Sequence, residues 1–398
     1  MINDRFRRLR GRTVRSFLAP ALAACFFLSS VVPLPAQELR LLVGTYTEGT
    51  PADGVYLYAF DVRTAGTRLL SCAPSGNPSF VIPSPGGRMA WSVNEFNDGR
   101  QGVSAYRIAG DTLTLLQTLP IPGDRVDGRD PCNLLFTGGA LVSSNYSGGT
   151  VTAFRLDDGG RIGGLTQQYG CSRTLGPEGK GLPVRHEAAH MHCAVLSPDG
   201  EYLFVTNLGN DCIHRFELRE GGDPLGASQI AWQHDGPEPF GPRHMVFSAD
   251  GRFAYLLCEL GDKLVVFGYA GGILTPIQTL TAYPGKGHGS ADIHLSPDGR
   301  FLYTSHRLRQ DGIAIFSVNP RTGRVKRAGY QETGRHPRNF ALSPDGRFLL
   351  CACRDDNRIE IYTVDPVTGA LRLTDRCIEV GAPVCVQFLP PANGSQAP

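Results

Sequence analysis

The chain alternates short apolar runs with tight polar turns, and the clearest instance lies at residues 287–318, GHGSADIHLSPDGRFLYTSHRLRQDGIAIFSV. The runs at 293–295, 301–305 and 313–318 are wholly apolar or alternate with period two, as strands do. Between the first two stands Ser296-Pro297-Asp298-Gly299. Its Asp-Gly pair supplies the positive-φ position that a tight hairpin turn needs. The strand read as closing this unit recurs seven times, at 54–60, 102–108, 150–156, 212–218, 263–269, 312–318 and 358–364. The turn recurs only six times, beginning at Ser84, Thr137, Ser197, Ser248, Ser296 and Ser343.

The missing turn carries information. The first unit begins directly at its second strand, Leu41-Leu42-Val43-Gly44-Thr45-Tyr46. The first-strand pattern returns at 382–391, which aligns without a gap on 336–345. The C-terminal strand is therefore expected to complete the first unit and close a ring. A period of about 50 residues, with four short strands per unit, is the sequence logic of a propeller. One unit cannot bury both faces of its small sheet, so neighbouring units bury them for each other. The pattern predicts an all-β, seven-bladed β-propeller over residues 39–391, with 392–398 as a disordered tail.

The N-terminus lies outside the repeat. Arg5, Arg7, Arg8, Arg10, Arg12 and Arg15 precede an apolar run over 17–32, which is followed by Pro33-Leu34-Pro35-Ala36. This is the pattern of a signal peptide over 1–36. The run is short for a membrane span and contains Pro20. Leu22-Ala23-Ala24-Cys25 also resembles a lipobox, which would leave Cys25 as a lipidated N-terminus. Either processing puts the domain in the periplasm or outside the cell. Removing 1–36 moves the formal charge from +2 to −3, and no basic stripe marks the rest. Nucleic acid is not an expected partner, and a monomer is expected. Of the 11 cysteines, Cys258 and Cys353 share one slot in different units, Cys72 and Cys377 another, and none shows C-x-x-C spacing. Small buried hydrophobes are the expectation for most of them.

No nucleophile elbow, phosphate loop or dinucleotide fingerprint is present, so the site is sought in the repeat itself. In a propeller the first strand of each blade lines the central channel. Its start opens on the same face as the end of the antiparallel second strand. Two rings of residues should meet there. The first, five residues before each turn, is Ser79, Cys132, His192, Arg243, Ala291, Arg338 and Val384. The second is Tyr46, Glu95, Tyr146, Leu208, Glu259, Arg307 and Arg354. Packing alone would repeat similar residues, whereas these rings mix cations, carboxylates and a histidine. Arg243 and Glu259 fall on adjacent strands of one unit, either as a plain ion pair or as a general base beside an anion-binding fork. His190, His244 and His294 lie close by in sequence, with His294 directed lower in the channel. His190-x-His192 could hold a metal, but no third ligand stands at readable spacing. No cofactor is expected.

Eight stretches carry a resemblance over nearly the whole chain after residue 36. They are Gly44-Thr45-Tyr46-Thr47, Asn77-Pro78-Ser79, Val93-Asn94-Glu95, Asn145-Tyr146-Ser147-Gly148-Gly149, His190-Met191-His192, Gly241-Pro242-Arg243-His244, Ser290-Ala291-Asp292-Ile293-His294 and Pro337-Arg338-Asn339-Phe340. In these the chain resembles the lactonase family of seven-bladed propellers, which includes bacterial 6-phosphogluconolactonases and fungal carboxy-muconate cyclases. The resemblance implies a catalytic group of Glu259, His192, Arg243 and Arg307. It implies hydrolysis of a small anionic sugar lactone, with Glu259 as general base and the two arginines on the anionic substituent and the oxyanion. His192 would protonate the leaving ring oxygen or position the carbonyl. Glu95, Tyr146, His190, His244, His294, Arg338 and Arg354 are the substrate-binding candidates. Two other readings stand beside this one: a binding module without chemistry, and a lactone-forming cyclase acting on an unsaturated diacid.

Overall fold

The structure, a computed structural model, describes residues 38–121, 127–171, 188–219, 223–283 and 289–390. The leader, Cys25 and the tail at 392–398 lie outside the described residues. Seven four-stranded antiparallel sheets make seven blades. Blade 1 is completed by the C-terminal strand Pro383–Phe388, which pairs with Glu38–Thr45 through Val43 opposite Val386 and Leu42 opposite Gln387. The ring is thus closed as the displaced repeat predicts. Among the described residues no helix is long and apolar enough to cross a membrane.

One expectation needs correction. The seven recurring strands are the third of each blade, not the last. Gly54–Asp61, for example, pairs on its other edge with an outer strand, Gly66–Pro74. Outer strands escape a pattern search because they face solvent along one edge and are mostly exposed or half-buried. The third strands are buried over their first five residues or nearly so, and read as continuous apolar runs.

The apolar faces pack in seven layers, one between each pair of neighbouring blades. Between blades 7 and 1, Phe60 meets the Phe348 ring edge-on at 5.3 Å, with Leu41, Leu350, Ile359 and Ile361 around them. Each such aromatic contributes about 1.5–3 kcal/mol by burial. Polar links fix the blade-to-blade register. The Trp91 indole N–H donates to the Gly160 carbonyl (2.8 Å), Tyr255 Oη to Gly323 (3.1 Å) and Tyr303 Oη to Gly369 (3.0 Å), each on the next blade. The Ser-x-Asp-Gly turns serve the same end. Ser296 Oγ donates to Asp298, Gly299 takes φ 68°, and Arg300 reaches the Pro366 carbonyl of blade 7 at 2.6 Å. Arg347 makes the equivalent bond to Val62 of blade 1, across the closure.

All ten described cysteines are free thiols, most of them buried. Cys351 and Cys353 lie 4.0 Å apart, sulfur to sulfur.

Candidate active site

The two rings meet where the repeat register places them. The innermost strands bring His192, Arg243 and Arg338 to the channel from Met191–Leu196, Pro242–Phe247 and Pro337–Leu342. The ends of the second strands deliver Glu95, Tyr146, Glu259, Arg307 and Arg354 to the same face. There they wall a cavity of about 250 Å³. Apart from Leu308 and His336, every residue lining it belongs to one of the two rings.

Glu259 is the electrostatic centre. Its side chain is buried, and its two oxygens are held from two blades. Arg243 Nε of blade 5 donates to Oε2 at 2.9 Å, and Arg307 Nη2 of blade 6 donates to Oε1 at 2.6 Å. Arg243 also donates from Nη1 to the Ala291 carbonyl (2.5 Å), and Arg307 from Nε to Gly289 (3.2 Å). These bonds spend much of both guanidiniums on the protein. Arg243 does not line the mouth cavity. It lines a second space of about 10 Å³ deeper in the channel, beside His192, His244 and Arg338. Burial pulls the Arg243 pKa below its usual value, opposed by the charge of Glu259.

Arg338 and Arg354 are the cations that face the mouth with lighter internal commitments. Arg338 approaches Glu95 at 3.7 Å and lies over the Tyr46 ring at 5.5 Å. Burial opposes its charge, but Tyr46 and Glu95 outweigh that, and its pKa is raised. Arg354 pairs with Asp355 at 2.6 Å and is about one-third exposed. Glu95 accepts from Tyr46 Oη (2.9 Å) and, at its other oxygen, from Ser79 Oγ.

His192 is buried, and its Nδ1 has no hydrogen-bond partner among the described residues. Burial, then the charge of Arg243, push its pKa well below the ordinary histidine value, so it is neutral at pH 7. It meets Tyr146 edge-on at 5.7 Å and His244 at 5.2 Å. His190 stacks on Tyr146 at 4.2 Å and bonds through Nδ1 to the Tyr146 carbonyl, so it supports a wall of the site from behind. Among the described residues no three His, Cys, Asp or Glu side chains group as a metal site would require.

His244 and His294 do not reach the mouth cavity. Both converge on Asp292, a residue absent from the two rings. Asp292 accepts from His244 Nδ1 (2.7 Å), His294 Nε2 (2.9 Å) and Asn339 Nδ2 (2.5 Å), and its carboxylate bonds the Ile293 amide at 2.9 Å. Burial would raise its pKa, but the two histidines outweigh that and hold it well below the carboxylate range. His244 titrates near 4, lowered by burial and by Arg243. The signal for Asp292 was its place one residue after the inner ring, in the slot where Asn133 and Asn339 bond an amide of the next blade.

His336 was also missed. It lines the mouth, and its Nε2 lies 3.3 Å from Arg307 Nη1. Its repeat slot, two before the inner ring, is the slot of His190, and that match was the available signal.

With the geometry established, comparison with known proteins places the chain. Residues 40–388 match the family described as Lactonase, 7-bladed beta-propeller. A 6-phosphogluconolactonase of Formosa agariphila is 34% identical over 344 residues, covering 83% of this chain and 94% of that protein. The Bacillus subtilis 6-phosphogluconolactonase is 30% identical over 360 residues, 87% of this chain and 97% of its own. Among solved structures, the periplasmic gluconolactonase PpgL of Pseudomonas aeruginosa has a TM-score of 0.81 and 29% identity, covering 89% of this chain and 99% of its own. The chain belongs to the lactonase family of seven-bladed β-propellers.

Proposed function

We propose that the protein is a lactone hydrolase that opens a small anionic sugar lactone at the channel mouth. The observation that carries this reading is the meeting, in one cavity, of a carboxylate flanked by guanidiniums and a neutral histidine. The relatives named 6-phosphogluconolactonase support the reaction class. In the reaction, the oxygen of water bonds to the lactone carbonyl carbon and the bond from that carbon to the ring oxygen breaks. Glu259 takes a proton from the attacking water and returns it to the leaving ring oxygen, giving the hydroxy acid. Four guanidiniums stand at or just below the mouth against the carboxylates of Glu259, Glu95 and Asp355, which favours developing negative charge. His192, being neutral, positions the carbonyl by hydrogen bonding rather than acting as a cationic acid. Arg338 and Arg354 take the anionic substituent, because Arg243 and Arg307 are engaged with Glu259.

This division of labour has a kinetic signature. Arg338→Met and Arg354→Met are expected to raise KM for an anionic lactone about tenfold each, the loss of one charge-assisted hydrogen bond, with a smaller change in kcat. For an uncharged lactone KM should hardly move. Steady-state kinetics on the pair of substrates checks this, and equal effects on both would remove the two arginines from anion binding.

The binding-module reading also has an observation in its favour, the direct contact of Arg243 with Glu259. It predicts ligand binding without turnover. The arginine-rich, apolar leader supports an exported, periplasmic or secreted protein, as does the likeness to a periplasmic gluconolactonase.

A further inference from the structure

Nothing in the composition of the mouth requires a strained residue, yet His336 is one. Its φ is 59°, in the left-handed region that favours glycine and that Asn tolerates. The repeat shows what the slot prefers. Its equivalents include Gly241 (φ 67°), Asn77 (39°), Asp130 (52°) and Ala382 (36°). Blade 7 places the largest side chain of this group at the same backbone position.

The surroundings hold it there. The His336 amide donates to Asp311 Oδ2 at 2.8 Å, and Pro337 follows. The imidazole is buried and has a partner on each side. Nε2 stands 3.3 Å from Arg307 Nη1, and Nδ1 stands 3.6 Å from Asp355 Oδ2. An arginine has only donors, so Nε2 is the acceptor and the ring proton sits on Nδ1, toward Asp355. Burial and the charge of Arg307 lower its pKa to about 2, so this neutral form persists through the working range. His336 thus links the Asp355–Arg354 pair on one side to the Arg307–Glu259 pair on the other.

We infer that His336 is a positioning residue of the lactonase site: its Nε2 fixes the plane of the Arg307 guanidinium against Glu259. Backbone strain persists where the surrounding structure over-determines it, and such positions cluster at functional sites. Here the strained residue lines the cavity and is bonded to the group it orients. The inference rests on the proposed reaction, in which Arg307 and Glu259 act together.

Three variants separate this role from a structural one. In His336→Gln the side-chain carbonyl can occupy the place of Nε2, although the strained backbone remains. In His336→Asn and His336→Gly the backbone is better suited, but no acceptor reaches Arg307. The expected order of kcat/KM is wild type, then Gln within about threefold, then Asn and Gly lower by about tenfold or more. Tm is not expected to follow that order: Asn, which suits the backbone, should gain about 2 °C over wild type, whereas Gln, which keeps the strain, should gain nothing. A role confined to the backbone predicts that Asn and Gly keep full activity. A general packing role predicts that activity and Tm fall together in all three. Either result overturns the inference. Wild type without lactonase activity would instead refute the proposed reaction, so the two failures are told apart.

Discussion

Glu259→Gln should lower lactone turnover by about 10²–10⁴-fold, the usual size of a general-base contribution, while the protein remains folded. An amide cannot take the proton from water. The replacement has the same shape, and its carbonyl can still accept from one arginine. Its NH₂ group, however, must face the other guanidinium, donor against donor. Two buried cations then share no formal negative charge at their centre. Breaking a buried ion pair from one side costs about 3–5 kcal/mol, so the variant should also be less stable, with retained acceptance placing it toward the low end. The test therefore pairs initial rates with a thermal melt, at a temperature where the melt shows the variant folded. Full activity in folded Glu259→Gln would remove that residue from the chemistry.

Stability should fall steeply as pH drops below 6.5. His192, His214, His244, His306 and His336 are all buried and all have lowered pKa values. Burial is the leading cause in each. Folded values are about 4 for His214 and His244, about 3 for His306 and about 2 for His336. The unfolded chain therefore binds more protons than the folded one between pH 6.5 and those values. Stability in that window rises with pH and is lost on acidification. Each histidine can cost up to about 1.4 kcal/mol per pH unit, so the five together remove on the order of 10 kcal/mol by pH 5. Two groups on the same network behave differently. Asp292 is lowered by its histidines despite burial, so its contribution is intact above about pH 4 and disappears only under stronger acid. Burial opposes the charge of His294, but Asp292 raises its pKa, so it contributes below 6.5 and loses that contribution as pH rises through the folded value. Urea midpoints at pH 7.5, 6.5, 5.5 and 5 should fall continuously below 6.5. A flat series would show that these histidines are not neutral in the folded state.

The repeat made the fold legible because each blade must solve the same packing problem, so the solution is written seven times. The missing turn before Leu41 and the surplus strand at 382–391 revealed the closure. The outer strands were less visible, since half-exposed edges such as Gly66–Pro74 are under weak apolar selection. Register also identified the rings at the mouth, because position in a blade determines position around the channel. It put Arg243 beside Glu259 within one blade, where they do pair, but it did not show which charges would meet across blades. Arg307 reaches Glu259 from the next blade, and Asp355 sits beside both Arg354 and His336. These contacts depend on side-chain reach across blade boundaries. His244 was drawn to the mouth by sequence proximity, whereas Asp292 holds it on the inner strands below, together with His294, whose position two residues before its turn already directed it lower.

The most direct test of the account is the hydrolysis rate of a panel of phosphorylated and unphosphorylated sugar lactones by the purified wild-type protein. Lactones open spontaneously, so the quantity that matters is the rate in excess of buffer, proportional to protein concentration. Such an excess is expected for at least one member of the panel, with the ring-opened acid as product. Tight binding of these lactones or their acids with no excess rate on any of them would contradict it and leave a propeller that binds without turnover.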